Sequence, residues 1–127
     1  MTLDSIHHVA IIVSDLERAK EFYINKLGFS IQRETHRPEK NDCKLDLNVG
    51  NGISLEIFAV ENPPKRPSYP EAAGLRHLAF CVPNVQKTAA ELMKKGILCE
   101  PIRIDSQDGK AFTFFHDPDG LPIELHE

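Results

Sequence analysis

His8-Val9-Ala10-Ile11-Ile12-Val13-Ser14-Asp15-Leu16-Glu17-Arg18 and His77-Leu78-Ala79-Phe80-Cys81-Val82-Pro83-Asn84-Val85-Gln86-Lys87 are one pattern written twice. The offset is 77 − 8 = 69 residues, and after a one-residue slip it becomes 68. Gly28-Phe29 then meets Gly96-Ile97. Asn51-Gly52-Ile53-Ser54-Leu55-Glu56-Ile57 meets Asp119-Gly120-Leu121-Pro122-Ile123-Glu124-Leu125. Landmarks of three kinds (His, Gly and Glu) recur together, which argues against chance similarity of two amphipathic patterns. The period is too long for a solenoid unit and there are only two copies. The chain therefore reads as two copies of one small module.

Each copy reads strand–helix–strand–strand–strand. Residues 6–13 form a β-rich apolar run. Ser14 with Glu17 three residues later is a capping-box signal, and Leu16, Ala19, Tyr23 and Leu27 follow at helical spacing. Lys26 and Gly28 suit the helix C-terminus. Strands are expected over 29–35, 43–49 and 53–60, with a turn at Asn51-Gly52. In the second copy a strand over 76–82 leads to a helix opened by Asn84 and closed by Lys94, Lys95 and Gly96. The apolar face of that helix is Val85, Ala89, Leu92 and Met93. Strands are expected near 98–104, 111–116 and 121–126, with the turn Asp117-Pro118-Asp119-Gly120 between the last two. Module 1 thus spans about 1–60 and module 2 about 75–127, in one domain over 1–127. The linker 61–74 carries four of the nine prolines, which makes it stiff and poor in regular structure.

Composition excludes several classes. The chain has 127 residues, 41% of them hydrophobic, and a net charge of 15 − 19 = −4, so it is neither disordered nor too short to bury a core. Acidic residues outnumber basic ones and no Lys/Arg block occurs, which disfavours nucleic acid as a partner. The longest apolar run, Val9–Val13, is far too short to span a membrane. No signal peptide is expected at the start. Cys43, Cys81 and Cys99 are odd in number and form no CxxC pair, so reduced thiols and a cytoplasmic location are expected.

The polar residues inside the apolar strands locate a candidate site. Strand alternation puts His8, Ala10 and Ile12 on one face and Val9, Ile11 and Val13 on the other. His77, Ala79 and Cys81 share a face in the second copy. Glu56 and Glu124 sit between aliphatic neighbours in the last strand of each module, where a carboxylate is costly unless exposed or paired. The separations match, with 56 − 8 = 48 and 124 − 77 = 47. A pseudo-two-fold relation between the copies would bring two His and two Glu together on one concave sheet. Two imidazoles and two carboxylates suit a divalent transition metal, whose charge the carboxylates offset. Four such ligands leave two places of an octahedral shell for water or substrate oxygens. The other histidines do not share the pattern: His7 faces the opposite way, His36 is read in a polar loop, and His116 precedes a turn. His126 shares the face of Glu124 and is a weaker candidate to support the site.

At these residues the sequence resembles the vicinal oxygen chelate superfamily, and within it the glyoxalase-I-like proteins. The matching motifs are His7-His8-Val9-Ala10-Ile11, Ser14-Asp15-Leu16, Phe22-Tyr23, Leu27-Gly28-Phe29, Leu55-Glu56-Ile57, Arg76-His77-Leu78-Ala79-Phe80, Asp117-Pro118-Asp119-Gly120 and Ile123-Glu124-Leu125. They cover nearly the whole chain. The resemblance implies an α+β fold in which two paired βαβββ modules form an open barrel-like mixed sheet around a metal. It carries the ligand set onto His8, Glu56, His77 and Glu124, with nickel, cobalt or zinc as the ion, and it implies a homodimer. Epimerases of the superfamily that act on methylmalonyl-CoA typically have Gln at the position of Glu56, and its thiol transferases and extradiol dioxygenases typically use three protein ligands. Glu56 therefore favours the glyoxalase type.

The implied reaction isomerises the hemithioacetal of a 2-oxoaldehyde such as methylglyoxal with a thiol such as glutathione, by proton abstraction next to a carbonyl through a metal-chelated enediolate. Glu124 is the first choice of catalytic base by the same resemblance, and Glu56 the second. Arg37, Arg76, Arg103 and Lys110 are candidates for binding the thiol, with solvated surface charge as the alternative for each. Three other readings stay open: a different metalloenzyme of the superfamily (acyl-thioester epimerase or thiol transferase), a non-catalytic small-molecule binder, and a closed structural metal site.

Overall fold

The computed structural model describes residues 1–127. It divides into two compact units, Met1–Pro64 and Lys65–Glu127, a division that falls inside the proline-rich stretch. In the first unit β1 (His8–Val13) leads into α1 (Leu16–Lys20), which runs on as a π-helical turn over Glu21–Lys26. β2 (Ser30–Arg37), a 3-10 turn over Pro38–Lys40, β3 (Asp42–Asn48) and β4 (Ser54–Val60) follow. The second unit contains β5 (Leu78–Cys81), α2 (Val85–Lys94), β6 (Arg103–Ile104), β7 (Ala111–His116) and β8 (Pro122–His126). The fold is α+β, with two mixed four-stranded sheets ordered β1-β4-β3-β2 and β5-β8-β7-β6. Neither sheet closes on itself. The duplication read from the sequence is a duplication of topology.

In each unit the first and last strands lie side by side and parallel, β1 on β4 and β5 on β8. A parallel pair needs a crossover, and here the helix and the two intervening strands supply it. Each helix starts on a side-chain cap. Asn84 Oδ1 accepts from the Lys87 backbone N–H at 2.8 Å. In α1 the cap is Asp15, whose Oδ1 accepts from the Arg18 N–H at 2.9 Å, and not Ser14 as the capping-box reading had it. Either side chain can cap, and Asp15 holds the N-cap position because it immediately precedes the first helical residue, Leu16. Replacing Asn84 with Ala is expected to remove about 1 kcal/mol of stability, read as a lower urea midpoint.

Beyond Lys20 the chain widens into a π-helical turn, with the Leu27 N–H donating to Phe22 O at 2.9 Å. That widening lets Phe22 and Tyr23, adjacent in sequence, both be buried with Ala19. They share the first unit's core with Leu45, Leu47, Leu55 and Ile57. α2 buries Val85, Ala89 and Leu92, but Met93, expected on the same face, is 58% exposed. The core of the second unit also holds Phe115, Ile123 and Leu125.

The turns explain two glycines. Asn51 and Gly52 both have positive φ (52° and 73°), and the Ile53 N–H donates to Gly50 O at 3.0 Å. That is the primed hairpin turn favoured by Asn-Gly. At the equivalent place Asp117 Oδ1 accepts from the N–H groups of Asp119 (2.9 Å) and Leu121 (2.8 Å), while Gly120 takes φ of 88°.

Two strand expectations change. β2 extends to Arg37, which places His36 on a strand. β6 shrinks to Arg103–Ile104 from the expected 98–104. Pro101 has no N–H to give a ladder, and Leu98 is left 81% exposed. The segment is tied down instead by the Glu100 N–H donating to Phe114 O (2.8 Å) and Thr113 Oγ1 donating to Glu100 O (2.7 Å). β2 is the edge of its sheet; a register shift between Ile31 and Arg33, with charged Arg33 and Glu34, guards that edge.

Candidate metal centre

Strand register builds the same half-site twice. On the β1–β4 pair, Ala10 lies opposite Glu56. On the β5–β8 pair, Ala79 lies opposite Glu124. A histidine stands two residues before each alanine, hence on the same face. The alanine side chain is short, so the longer imidazole and carboxylate can meet over it. His8 Nδ1 lies 3.4 Å from Glu56 Oε2, and His77 Nε2 lies 3.5 Å from Glu124 Oε2. The burial matches the expected faces: Val9, Ile11 and Val13 are more covered than His8, Ala10 and Ile12, and Leu78 and Phe80 more than Ala79 and Cys81.

These separations are long for charge-assisted hydrogen bonds, which run about 2.7–2.9 Å. They suit two donors of one ion. Ligands about 2.1 Å from a shared centre and about 90–110° apart sit roughly 3.0–3.4 Å from each other. His77 Nδ1 is buried with no hydrogen-bond partner. The nitrogen that faces Glu124 is Nε2, so this Nδ1 is the other ring nitrogen and is not a second donor to the same ion. The donor types and spacing of each His–Glu pair therefore fit a divalent transition metal.

The two pairs sit in different surroundings. Glu56 Oε1 lies 3.2 Å from Lys44 Nζ, and Lys44 also approaches Asp46, which pairs with Arg33 at 3.2 Å. Asp46 is the register partner of Glu56 on β3. Glu124 has Phe114 as its register partner on β7. The Phe114 ring meets His77 edge-on, with centroids 5.0 Å apart. Glu56 is thus held by a cation, while Glu124 stands beside aromatic surface with no lysine in the role of Lys44. The polar/apolar alternation Lys44-Leu45-Asp46-Leu47 is the signal in the sequence for this cationic neighbour.

His7, expected to play no part, contacts His8 through the two Nδ1 atoms at 2.8 Å. His8 Nδ1 is therefore shared between His7 and Glu56. His36 bonds Glu34 Oε2 at 3.1 Å and lies 4.0 Å from Cys43 Sγ. Glu34, His36 and Cys43 form a compact group, yet burial pushes the Cys43 thiol up in pKa, and the hydrogen bond from Lys20 pulls the Glu34 carboxyl down. A protonated thiol beside a carboxylate already paired with lysine is a poor ligand set. An open cleft of about 480 Å³ in the first unit, lined by Leu16, Arg37, Pro38, Asp42 and Val60, includes neither His8 nor Glu56. Of the residues considered for thiol binding, Arg37 is bound to Asp42 through Nε at 2.7 Å, and Arg103 lies over the Phe112 ring at 4.8 Å. The three cysteines are free of disulfides. No helix is long and apolar enough to cross a membrane.

Three comparisons agree with this geometry. The chain is 54% identical over 127 residues to the uncharacterized protein YwkD of Bacillus subtilis, covering 100% of this chain and 99% of the relative. It is 32% identical to the mitochondrial methylmalonyl-CoA epimerase of Homo sapiens, covering 98% of this chain and 74% of the relative. The crystal structure of a glyoxalase family protein from Enterococcus faecalis superposes with a TM-score of 0.95 at 57% identity, covering both chains fully. The family model for the Glyoxalase/Bleomycin resistance protein/Dioxygenase superfamily matches residues 5–125. Two βαβββ modules, each with its His–Glu pair in the same register, and a match over nearly the whole length have one reading: the chain belongs to the glyoxalase/bleomycin resistance/dioxygenase (vicinal oxygen chelate) superfamily.

Proposed function

We propose that the protein is a metal-dependent lyase of glyoxalase I type, in which His8, Glu56, His77 and Glu124 hold one divalent ion (nickel, cobalt or zinc). The observation that supports this most is the matched pair: a histidine and a glutamate in identical strand register in both modules, with N···O separations of 3.4 and 3.5 Å. The substrate is the hemithioacetal of a 2-oxoaldehyde such as methylglyoxal with a thiol such as glutathione. When bound, the ion supplies Lewis acidity to two neighbouring substrate oxygens and so acidifies the adjoining C–H. Glu124 takes the proton from one carbon and returns it to the next. Glu56, held by Lys44, stays in place as a ligand. His8 and His77 supply neutral nitrogen donors, and their partner carboxylates offset the ionic charge. The protein works on small molecules as a cytoplasmic homodimer, with no nucleic-acid or membrane partner.

The 32% identity to an epimerase favours one other reading, epimerisation of an acyl thioester. Both reactions move a proton beside a carbonyl, so the metal and Glu124 keep their roles. Glu56, where epimerases of the family typically carry Gln, points to the lyase.

Metal analysis of the purified protein, chelation, and add-back of nickel, cobalt or zinc test the proposal. Stoichiometric metal is expected, with isomerisation of methylglyoxal–glutathione lost on chelation and restored by one of the ions. Exchange of the α-proton of methylmalonyl-CoA without hemithioacetal turnover would establish the epimerase reading. A protein that takes up no metal and turns over neither substrate would overturn both.

A further inference from the structure

We propose that Arg66 is a positioning residue for His77, its guanidinium standing in for a backbone N–H that Pro122 cannot supply. The inference rests on the reading of His77 as a metal ligand, and it starts from a difference between the two modules. In the first, His8 lies within β1 opposite Ser54, and the Ser54 N–H donates to His7 O at 3.1 Å. That bond fixes the peptide immediately before the histidine. The repeat places Arg76 where His7 stands and Pro122 where Ser54 stands. Proline has no N–H, so the ladder cannot hold the Arg76 carbonyl in the same way. Pairing in the second module accordingly starts one step later, with Leu78 opposite Ile123. His8 is thus a paired residue of its strand, whereas His77 stands just ahead of β5.

A side chain fills this gap. Arg66 Nη2 donates to Arg76 O at 2.5 Å and, more weakly, to Leu75 O at 3.4 Å. Its Nη1 donates to Pro67 O and to Ser68 Oγ, both at 3.3 Å. One guanidinium therefore closes the 66–76 segment on itself at the point where it enters β5. A planar fork with several fixed donors suits this task, which a compact ammonium does not. Residues 65–76 are exposed apart from half-buried Arg66 and Glu71. The Glu71–Arg76 contact is long, at 4.0 Å. The fork is consequently the main polar tie on this segment.

The Arg76 carbonyl belongs to the peptide whose nitrogen is that of His77. Holding that peptide plane sets the direction of the His77 side chain, and with it the place of Nε2 beside Glu124, 3.5 Å away. A ligand already in place gains affinity, because its ordering cost does not fall on the binding step. Arg66 itself touches neither His77 nor Glu124 through any of these bonds, so it acts on the ligand through the backbone.

The test compares wild type, Arg66→Ala, Pro122→Ser and the double variant. Each is studied metal-free by NMR relaxation dispersion and amide hydrogen exchange at His77 and Leu78, and then by Ni²⁺ titration against a competing chelator. Arg66→Ala is expected to speed exchange at both amides and to weaken Ni²⁺ binding about tenfold, as loss of a group that orients a ligand does. Pro122→Ser supplies the N–H that the first module has at Ser54, and in the double variant it is expected to restore both readouts. If Arg66 only packs the 66–76 segment, that substitution restores neither. Unchanged His77 dynamics in Arg66→Ala, or no recovery in the double variant, would therefore overturn the assignment. The metal-free readout keeps this inference apart from the proposed function. A wild type that takes up no Ni²⁺, while Arg66→Ala mobilises His77 and Pro122→Ser settles it again, would remove the metal and support the role of Arg66.

Discussion

Glu124→Gln is expected to lower turnover of the methylglyoxal–glutathione hemithioacetal by about 10²–10⁴-fold, the range a positioned general base contributes, while the protein stays folded. Gln has the same shape and can still offer an oxygen, but it cannot accept the proton. The carboxylate lies near His77 on a rigid strand and is 15% exposed, so the exchange disturbs little packing. The surroundings of the two glutamates set the order of effects. Glu56 is held by Lys44 at 3.2 Å, and an ion-paired carboxylate is a poorer choice to leave a ligand position and carry a proton. Glu56→Gln is therefore expected to act mainly by weakening metal affinity, with turnover recovering at saturating metal. Steady-state kinetics with each ion added back, beside circular dichroism and a urea midpoint, decide the matter. Near-normal turnover in Glu124→Gln, or a larger loss in metal-saturated Glu56→Gln, would defeat the assignment of the base.

Phe115→Ala is expected to cost about 3–5 kcal/mol and to lower the melting temperature by about 10 °C or more. Phe115 is 2% exposed and lies opposite fully buried Ile123 across the β7–β8 ladder. Its removal leaves a cavity that two hydrogen-bonded strands cannot collapse to fill. Its neighbour Phe114 faces the other way, toward His77. Phe114→Ala is accordingly expected to cost less stability and to disturb the imidazole instead. Thermal and urea unfolding of the two variants make the comparison, and equal destabilisation would contradict the assignment of faces.

Much of this architecture was legible in the residues because it rests on short-range rules. Period-2 alternation assigned the faces of β1, β4, β5 and β8, and Asn-Gly and Asp-Pro-Asp-Gly marked both hairpin turns. The repeat supplied what a single module could not, namely that a histidine and a glutamate about 47 residues apart occupy matched places twice. The errors arose where geometry finer than a pattern decides. Ser14 and Asp15 are both good caps, and only the helix start selects Asp15. Leu16, Ala19, Tyr23 and Leu27 at α-helical spacing concealed a π-helical turn that buries Phe22 as well. His126 looked like a minor accessory of Glu124, because nothing in the spacing 105, 108 and 126 shows that a loop folds back onto the last strand, where Asp105 and Asp108 each lie 3.3 Å from His126 Nε2.

By itself, then, the order of residues determined the duplicated strand–helix–strand pattern, the two His–Glu pairs and the turns, since all follow from periodicity and local backbone preference. Only the tertiary structure decided that each alanine sits across from a glutamate, that Lys44 attends Glu56 while Phe114 attends Glu124, and that Asp105 and Asp108 meet His126. Those facts depend on which strands become neighbours and in what register, and register is a property of pairing between distant segments rather than of either segment alone.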